Sequence, residues 1–329
     1  MVRTTPPRPV DLTAHLPALA PLARTAVRLH PRPGEPSAAD SSFGGPLLWP
    51  AGEAWPTCAA HIGSFVDGAT IPDVLARRRI LTEAWARPRE RGVNLLTPEE
   101  KVVVDRVDEG TQMAVGGPVP LVPVAQLYAR DVPGLPGPGG ADLLQVLWCP
   151  FDHEDDGYVP STALRWRVAA EVTDVLVEPP APVLVDDNYL PQPCVLHPEE
   201  VTEYPAPHCL PEDLRKQVRE WEEREGTRYQ YDLSVAPGCK AGGYGPWSFS
   251  DPFPMSCDDC GAAVEPLLTI ASSEWDGVES WLPVEDAGVE HPPYPAATEP
   301  TMLSIGRGYN LQLYTCVASA EHQHVTNMQ

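Results

Sequence analysis

The sequence predicts an α+β fold that is mainly β, made of two tandem copies of a β-rich unit with a helical insertion in the first copy. Three observations predict it. With 41 prolines and 25 glycines in 329 residues, long uninterrupted helices are excluded over most of the chain, and short strands joined by turns are favoured. Apolar runs of strand length recur between these breakers. Two stretches of the chain also repeat one another in the same order. The length suffices for about two ordinary domains, each with its own core.

In chain order, the first helix is expected within residues 69–91, where Leu75, Ile80, Leu81 and Trp85 fall near helical spacing and Pro88 is a late breaker. A second is expected over 97–108: Thr97 can cap, Pro98 suits the first turn, and Glu100 completes a capping box. Together they form the insertion, at about 69–108. Strands are expected at 119–129, 142–149 and 164–178. Alternation is clearest in "LRWRV", which predicts a sheet with one wet face. Residues 178–212 are too rich in proline for either regular element and read as an ordered surface connector. A third helix follows at 211–225, with Leu214, Val218 and Trp221 on one stripe, and strands at 264–271 and 309–316 close the chain. The expected organisation is a first repeat over 1–178, the connector over 179–212, and a second repeat over 213–329.

The repeat is visible in two places. "SSFGGPLLWPAGEAWPTC" (41–58) and "GCKAGGYGPWSFSDPFPMSC" (238–257) share Gly-Gly, a Trp a few residues on, and a Cys two places after Pro. "LQVLWCPFDH" (144–153) and "LQLYTCVASAEH" (311–322) share Leu-Gln, alternating apolar residues, Cys and then His. The spacing between the two cysteine positions is longer in the first copy, by about the length of the helical insertion.

Each copy thereby offers four soft ligands. They are Cys58, His61, Cys149 and His153 in the first, and Cys257, Cys260, Cys316 and His322 in the second. A short-spaced pair at a turn and another at the end of a distant strand fill two tetrahedral corners each, which is the arrangement zinc requires. Four protein ligands leave no corner for water, so both sites are expected to be structural zinc sites. The alternative is a set of buried or surface thiols and, for His61, an ordinary core or loop histidine. His324 competes with His322 as the fourth ligand. Cys194, His197, His208 and Cys209 form a further set in the connector, without a repeated counterpart.

Composition limits the function classes. Eight cysteines in a long chain whose first 30 residues lack an uninterrupted apolar core point to reduced thiols or metal ligands rather than a disulfide framework. A cytoplasmic protein without membrane spans is expected. The formal net charge of −23 argues against binding a nucleic-acid backbone, which needs clustered Lys and Arg. The clearest basic cluster, Arg77 to Arg79 with Arg87, Arg89 and Arg91, has acidic neighbours and reads as a solvated helix face.

The motifs "SSFGGPLLWPAGEAWP" and "CKAGGYGPWSF" resemble the Gly-Gly-x-x-x-Trp-Pro entry motif of the YwqG-like family, a bacterial domain of unknown function. "LQVLWCPFDH", "HPEEVTEYP" and "IGRGYNLQLYTC" extend the resemblance over nearly the whole chain. That family is similar at a distance to the eukaryotic programmed cell death protein 2 family. The resemblance implies a duplicated β-rich fold and a protein-binding, chaperone-like or immunity-type role, with no catalytic residues to carry over. The cysteine pairs and the helical insertion depart from the family's compact members.

Two other functions compete with an interaction module. A metal-dependent hydrolase could use His153 with Glu154 and Asp156, if the metal had an open corner; the plainer reading of "HEDDG" is an acidic turn. An RNA-processing or ribosome-assembly factor would need a contiguous basic surface at the arginine cluster. For the interaction module, tryptophans 49, 55, 247, 275 and 281 lie in Gly/Pro-rich turns, where each plugs the core or joins a recognition surface. An acidic surface with exposed aromatics would suit a basic protein or peptide.

Overall fold

Proline and glycine interrupt the chain so often that the longest strand has eight residues, Val264–Ala271. The computed structural model describes residues 3–88, 92–275, 277, 279–288 and 294–329. The chain opens with a one-turn helix, α1 (Leu12–His15), and strands β1 (Arg24–Arg28) and β2 (Arg32–Pro33). After β3 (Ser42–Phe43) and β4 (Thr57–Cys58) comes a hairpin of β5 (Phe65–Gly68) and β6 (Thr111–Ala114), which holds helices α2 (Ile71–Trp85) and α3 (Pro98–Glu109) between its strands. There follow β7 (Val119–Pro120), β8 (Val122–Tyr128), β9 (Leu143–Trp148), β10 (Thr162–Arg167), β11 (Cys194–Val195) and β12 (Glu199–Glu203). Helix α4 (Glu212–Glu225) precedes β13 (Lys240–Gly242), β14 (Val264–Ala271), β15 (Asn310–Cys316) and β16 (Val325–Met328). The fold is therefore α+β and mainly β.

One six-stranded antiparallel sheet runs β12-β1-β13-β14-β15-β16 and the other runs β2-β11-β3-β8-β9-β10. These are the same order once β1, β2, β3, β8, β9 and β10 are exchanged for β11, β12, β13, β14, β15 and β16. The agreement extends to register. Ser42 faces Gln126, which faces Gln145; Lys240 faces Thr269, which faces Gln312. Each central pair carries a bulge just after a proline, between Pro123 and Ala125 and between Pro266 and Leu268.

The expected boundaries need correction. Strand β1 lies in the sheet built mainly from the second half, and segment 179–212 supplies one strand to each sheet. Its prolines flank β11 and β12 rather than interrupt them, and β12 is an edge strand, where a polar sequence is tolerated. The main core is shared between the sheets, beside a smaller cluster confined to residues 47–184. Val27, Leu268, Ile270, Leu311 and Leu313 of one sheet share a buried cluster with Phe43, Val124, Leu127, Leu144 and Trp148 of the other. Of the wet face expected from "LRWRV" only Arg165, on the edge strand β10, is exposed; β9 is buried along its length because loops cover the outer side. Strand β10 ends at Arg167, short of the expected 178.

Helices α2 and α3 lie between β5 and β6 and occupy about the stretch expected to be helical, 69–108. Helix α3 begins with the expected capping box of Thr97 and Glu100. Helix α2 buries Val74, Arg78, Leu81 and Ala84; of the expected stripe Leu81 is buried and Ile80 half-buried, while Leu75 and Trp85 are exposed. Arg78 can be buried because its guanidinium donates to the carbonyls of Asp187 and Leu190. The second half has an insertion of its own, residues 272–309 between β14 and β15, where the first half has only 129–142.

Candidate metal centres

Both sets of four ligands converge. In each, the ligand atoms all lie within 4.8 Å of one another. The shared topology explains how. Side chains of β9 alternate, with Leu144, Val146 and Trp148 facing the common core, so Cys149, just past the strand end, points to the opposite face with Leu147. In β15, Leu311 and Leu313 face the core, and Cys316 at the strand end takes the corresponding outer position. The short-spaced pairs come from tight turns. Cys58 pairs with Val119 in a two-residue ladder, and the Cys257 N–H bonds the Ala262 carbonyl across a turn closed by Gly261 at φ +71°.

In the first centre, His61 Nε2 and His153 Nε2 are 3.3 Å apart, and Cys58 Sγ is 3.7 Å from His153 Nε2. In the second, Cys257 Sγ is 3.5 Å from His322 Nδ1, and Cys260 Sγ is 3.5 Å from Cys316 Sγ. Zinc bonds of about 2.3 Å to sulfur and about 2.05 Å to nitrogen give tetrahedral edges of about 3.8 Å for S–S, about 3.6 Å for S–N and about 3.3 Å for N–N. These four separations lie within a few tenths of an ångström of the edges, and the remaining ligand pairs are within 4.8 Å. Both clusters are compatible with a zinc site.

The electrostatics favour the ligating form at the two imidazoles and at Cys316, and oppose it at Cys149. Burial, reinforced for His61 by His153, lowers the pKa of both imidazoles; for His153, Asp156 and Asp152 oppose the shift. A neutral imidazole is what a metal needs. Burial raises the Cys149 thiol, and the adjacent Cys58 raises it further. Two crowded thiols without a cation resist ionisation, and a bound cation reverses that. At the second centre burial opposes ionisation of Cys316, but the backbone N–H groups of Ala318 and Ser319, with His322 and Cys260, outweigh it and bring the thiol down to about 6.

Other expected site residues fall elsewhere. His324 is engaged with Thr162 Oγ1 of β10 at 2.5 Å, which leaves His322 as the histidine of the second cluster. The connector set does not assemble: Cys194 is buried and donates to the Pro300 carbonyl, whereas Cys209 is exposed. Asp156 Oδ2 lies 3.6 Å from His153 Nδ1, on the side of the ring away from the cluster, so its carboxylate can orient the ring.

The arginine cluster is largely paired. Arg77 meets Asp108 and Asp187, and Arg87 meets Glu100. Arg78 is buried and Arg79 is exposed. Arg89 and Arg91 lie outside the described residues. Of the singled-out tryptophans, Trp49 and Trp281 are core plugs, while Trp55, Trp247 and Trp275 are half-buried.

The structure also assembles charged residues with no local signature. Arg28 and His30 are fully buried and meet Glu274, and His30 Nε2 approaches Glu199 at 3.3 Å. Lys240 and Glu203 form a second sealed pair. Their partners are distant in sequence: Glu274 ties β1 and the turn after it to the second insertion, and Lys240 with Glu203 ties β13 to β12.

No protein-family model matches the chain, and no curated protein matches it at a significant level. None of the described helices is long and apolar enough to cross a membrane.

Proposed function

We propose that this chain is a non-enzymatic protein-interaction module, chaperone-like or immunity-type as its resemblance to the YwqG-like family implies, held together by two structural zinc ions. The observation that carries the reading is the ligand set. Four protein side chains per centre occupy every tetrahedral corner, so neither metal keeps a position for water or substrate. A hydrolase using His153, Glu154 and Asp156 would need such a position. The matching strand order and register of the two sheets support descent from one duplicated unit.

The partner is a basic protein or peptide. Tyr231, Phe249 and Phe253 are exposed at 47%, 61% and 50%, Trp247 packs on Phe253, and Trp247 and Trp275 line a cavity of about 260 Å³. Rigid aromatics on a chain of net charge −23 suit a cationic segment. The pairing of Arg77 and Arg87 weighs against a nucleic-acid surface. The test is affinity purification of the tagged chain under a rising salt step. A basic protein that copurifies at low salt and dissociates as the Debye length falls supports the reading. Copurifying RNA, or a partner indifferent to salt, contradicts it.

A further inference from the structure

The two centres differ in what can reach them. In the first, Cys149 is 0% exposed and Cys58 is 6% exposed. In the second, Cys257 and Cys316 are buried but Cys260 is open to solvent. Among the eight cysteines only Cys209 and Cys260 are exposed. Cys209 belongs to neither cluster, whereas Cys260 has a second sulfur 3.5 Å away, that of Cys316. A solvent-facing thiol with a resolving partner in contact is the arrangement that peroxide oxidises to a disulfide.

We infer that the Cys260–Cys316 pair is a peroxide-sensitive modification site, and that its oxidation releases the second metal while leaving the first in place. The inference rests on the zinc reading only for the metal it releases. Cys260 gives up its proton to solvent and, as the thiolate, attacks one peroxide oxygen and breaks the O–O bond, giving a sulfenic acid and hydroxide. The Cys316 thiolate then attacks the Cys260 sulfur and displaces a second hydroxide. The two sulfurs give up two electrons, the peroxide is reduced, and protons from solvent convert both hydroxides to water. The disulfide removes two of four ligands, and Cys257 with His322 alone cannot hold the ion. Residues 317–321, held between Cys316 and His322, also wall a cavity of about 1070 Å³ on the β13–β14 side, so their release would reshape that cavity. A dithiol reductant reverses the step.

The experiment adds hydrogen peroxide to the full-length, zinc-loaded chain and follows zinc with a chromogenic chelator and cysteine state by peptide mass mapping. Release of about one equivalent of zinc, in step with a Cys260–Cys316 disulfide and reversed by dithiothreitol, is expected. Cys209→Ser should behave as the parent does, and Cys260→Ser should leave Cys316 reduced. Oxidation confined to Cys209, or release of both ions together, would overturn the inference. A chain purified without metal that still forms the disulfide would sink the zinc reading and leave the oxidation site standing. A zinc-loaded chain whose Cys260 stays reduced would do the reverse.

Discussion

Gln145 and Gln312 occupy the same place in the two sheets and perform the same task. The Gln145 amide donates to the Leu48 carbonyl at 2.9 Å, and the Gln312 amide donates to the Pro246 carbonyl. Each accepting residue directly precedes the tryptophan of a Gly-Gly-x-x-x-Trp stretch. A buried glutamine on a central strand thus fixes the turn that leads towards a metal knuckle. Gln145 also accepts from Arg167 Nε and donates to Gln126. Gln145→Leu leaves these buried groups unpaired and should lower stability by about 1–3 kcal/mol, read from urea unfolding at constant slope. An unchanged midpoint would show that the bracing is incidental. The sequence displays both the Leu-Gln pairs and the Gly-Gly-Trp stretches, and the repetition exposes their correspondence. What it hides is that one holds the other, because the partners in the first half lie nearly a hundred residues apart.

At the scale of elements, legibility follows locality. Helix α3 could be read because its signals are adjacent: Thr97 accepts from the Glu100 N–H, and the Glu100 carboxylate accepts from the Thr97 N–H. The Arg87 guanidinium first, and the Thr97 backbone next, hold the Glu100 pKa from its ordinary 4.5 down to about 2. A carboxylate with a lowered folded-state pKa binds fewer protons folded than unfolded. Its contribution is therefore complete above about pH 4.5 and is lost as pH falls towards 2. Glu100→Gln should be less stable than the parent near neutrality, and the difference should close over that window in an acid titration followed by circular dichroism. A difference that persists below pH 2 would assign the effect to something other than this carboxylate. Helix α2 was legible in extent but not in facing, since Arg78 is buried by carbonyls contributed from 187 and 190. Strands β1, β12 and β16 carry no clear apolar alternation, and their places come from neighbours rather than from their own residues.

For the whole molecule, two stretches of the sequence repeat one another's motifs in the same order, and strands from the two ends of the chain are interleaved in the two sheets. Each half lends its first strand, β1 or β11, to the sheet built mainly by the other, and both sheets bury their inner faces in one core. Crossings of this kind leave no mark in composition, so the chain reads as two domains in tandem. The ligand sets were legible for the opposite reason. A Cys-x-x-Cys or Cys-x-x-His pair is local, and the repetition supplied its distant mate. Each cluster joins a turn to a remote strand end, so a bound ion would cross-link a long loop in each half and link stability to metal and pH.

Two zinc ions are proposed to be held by eight side chains. Metal analysis of the purified chain beside Cys257→Ser tests this most directly. About two equivalents of zinc in the parent and about one in the variant, with a lowered unfolding midpoint, are predicted. A parent without zinc, or a variant that keeps both ions, would contradict it.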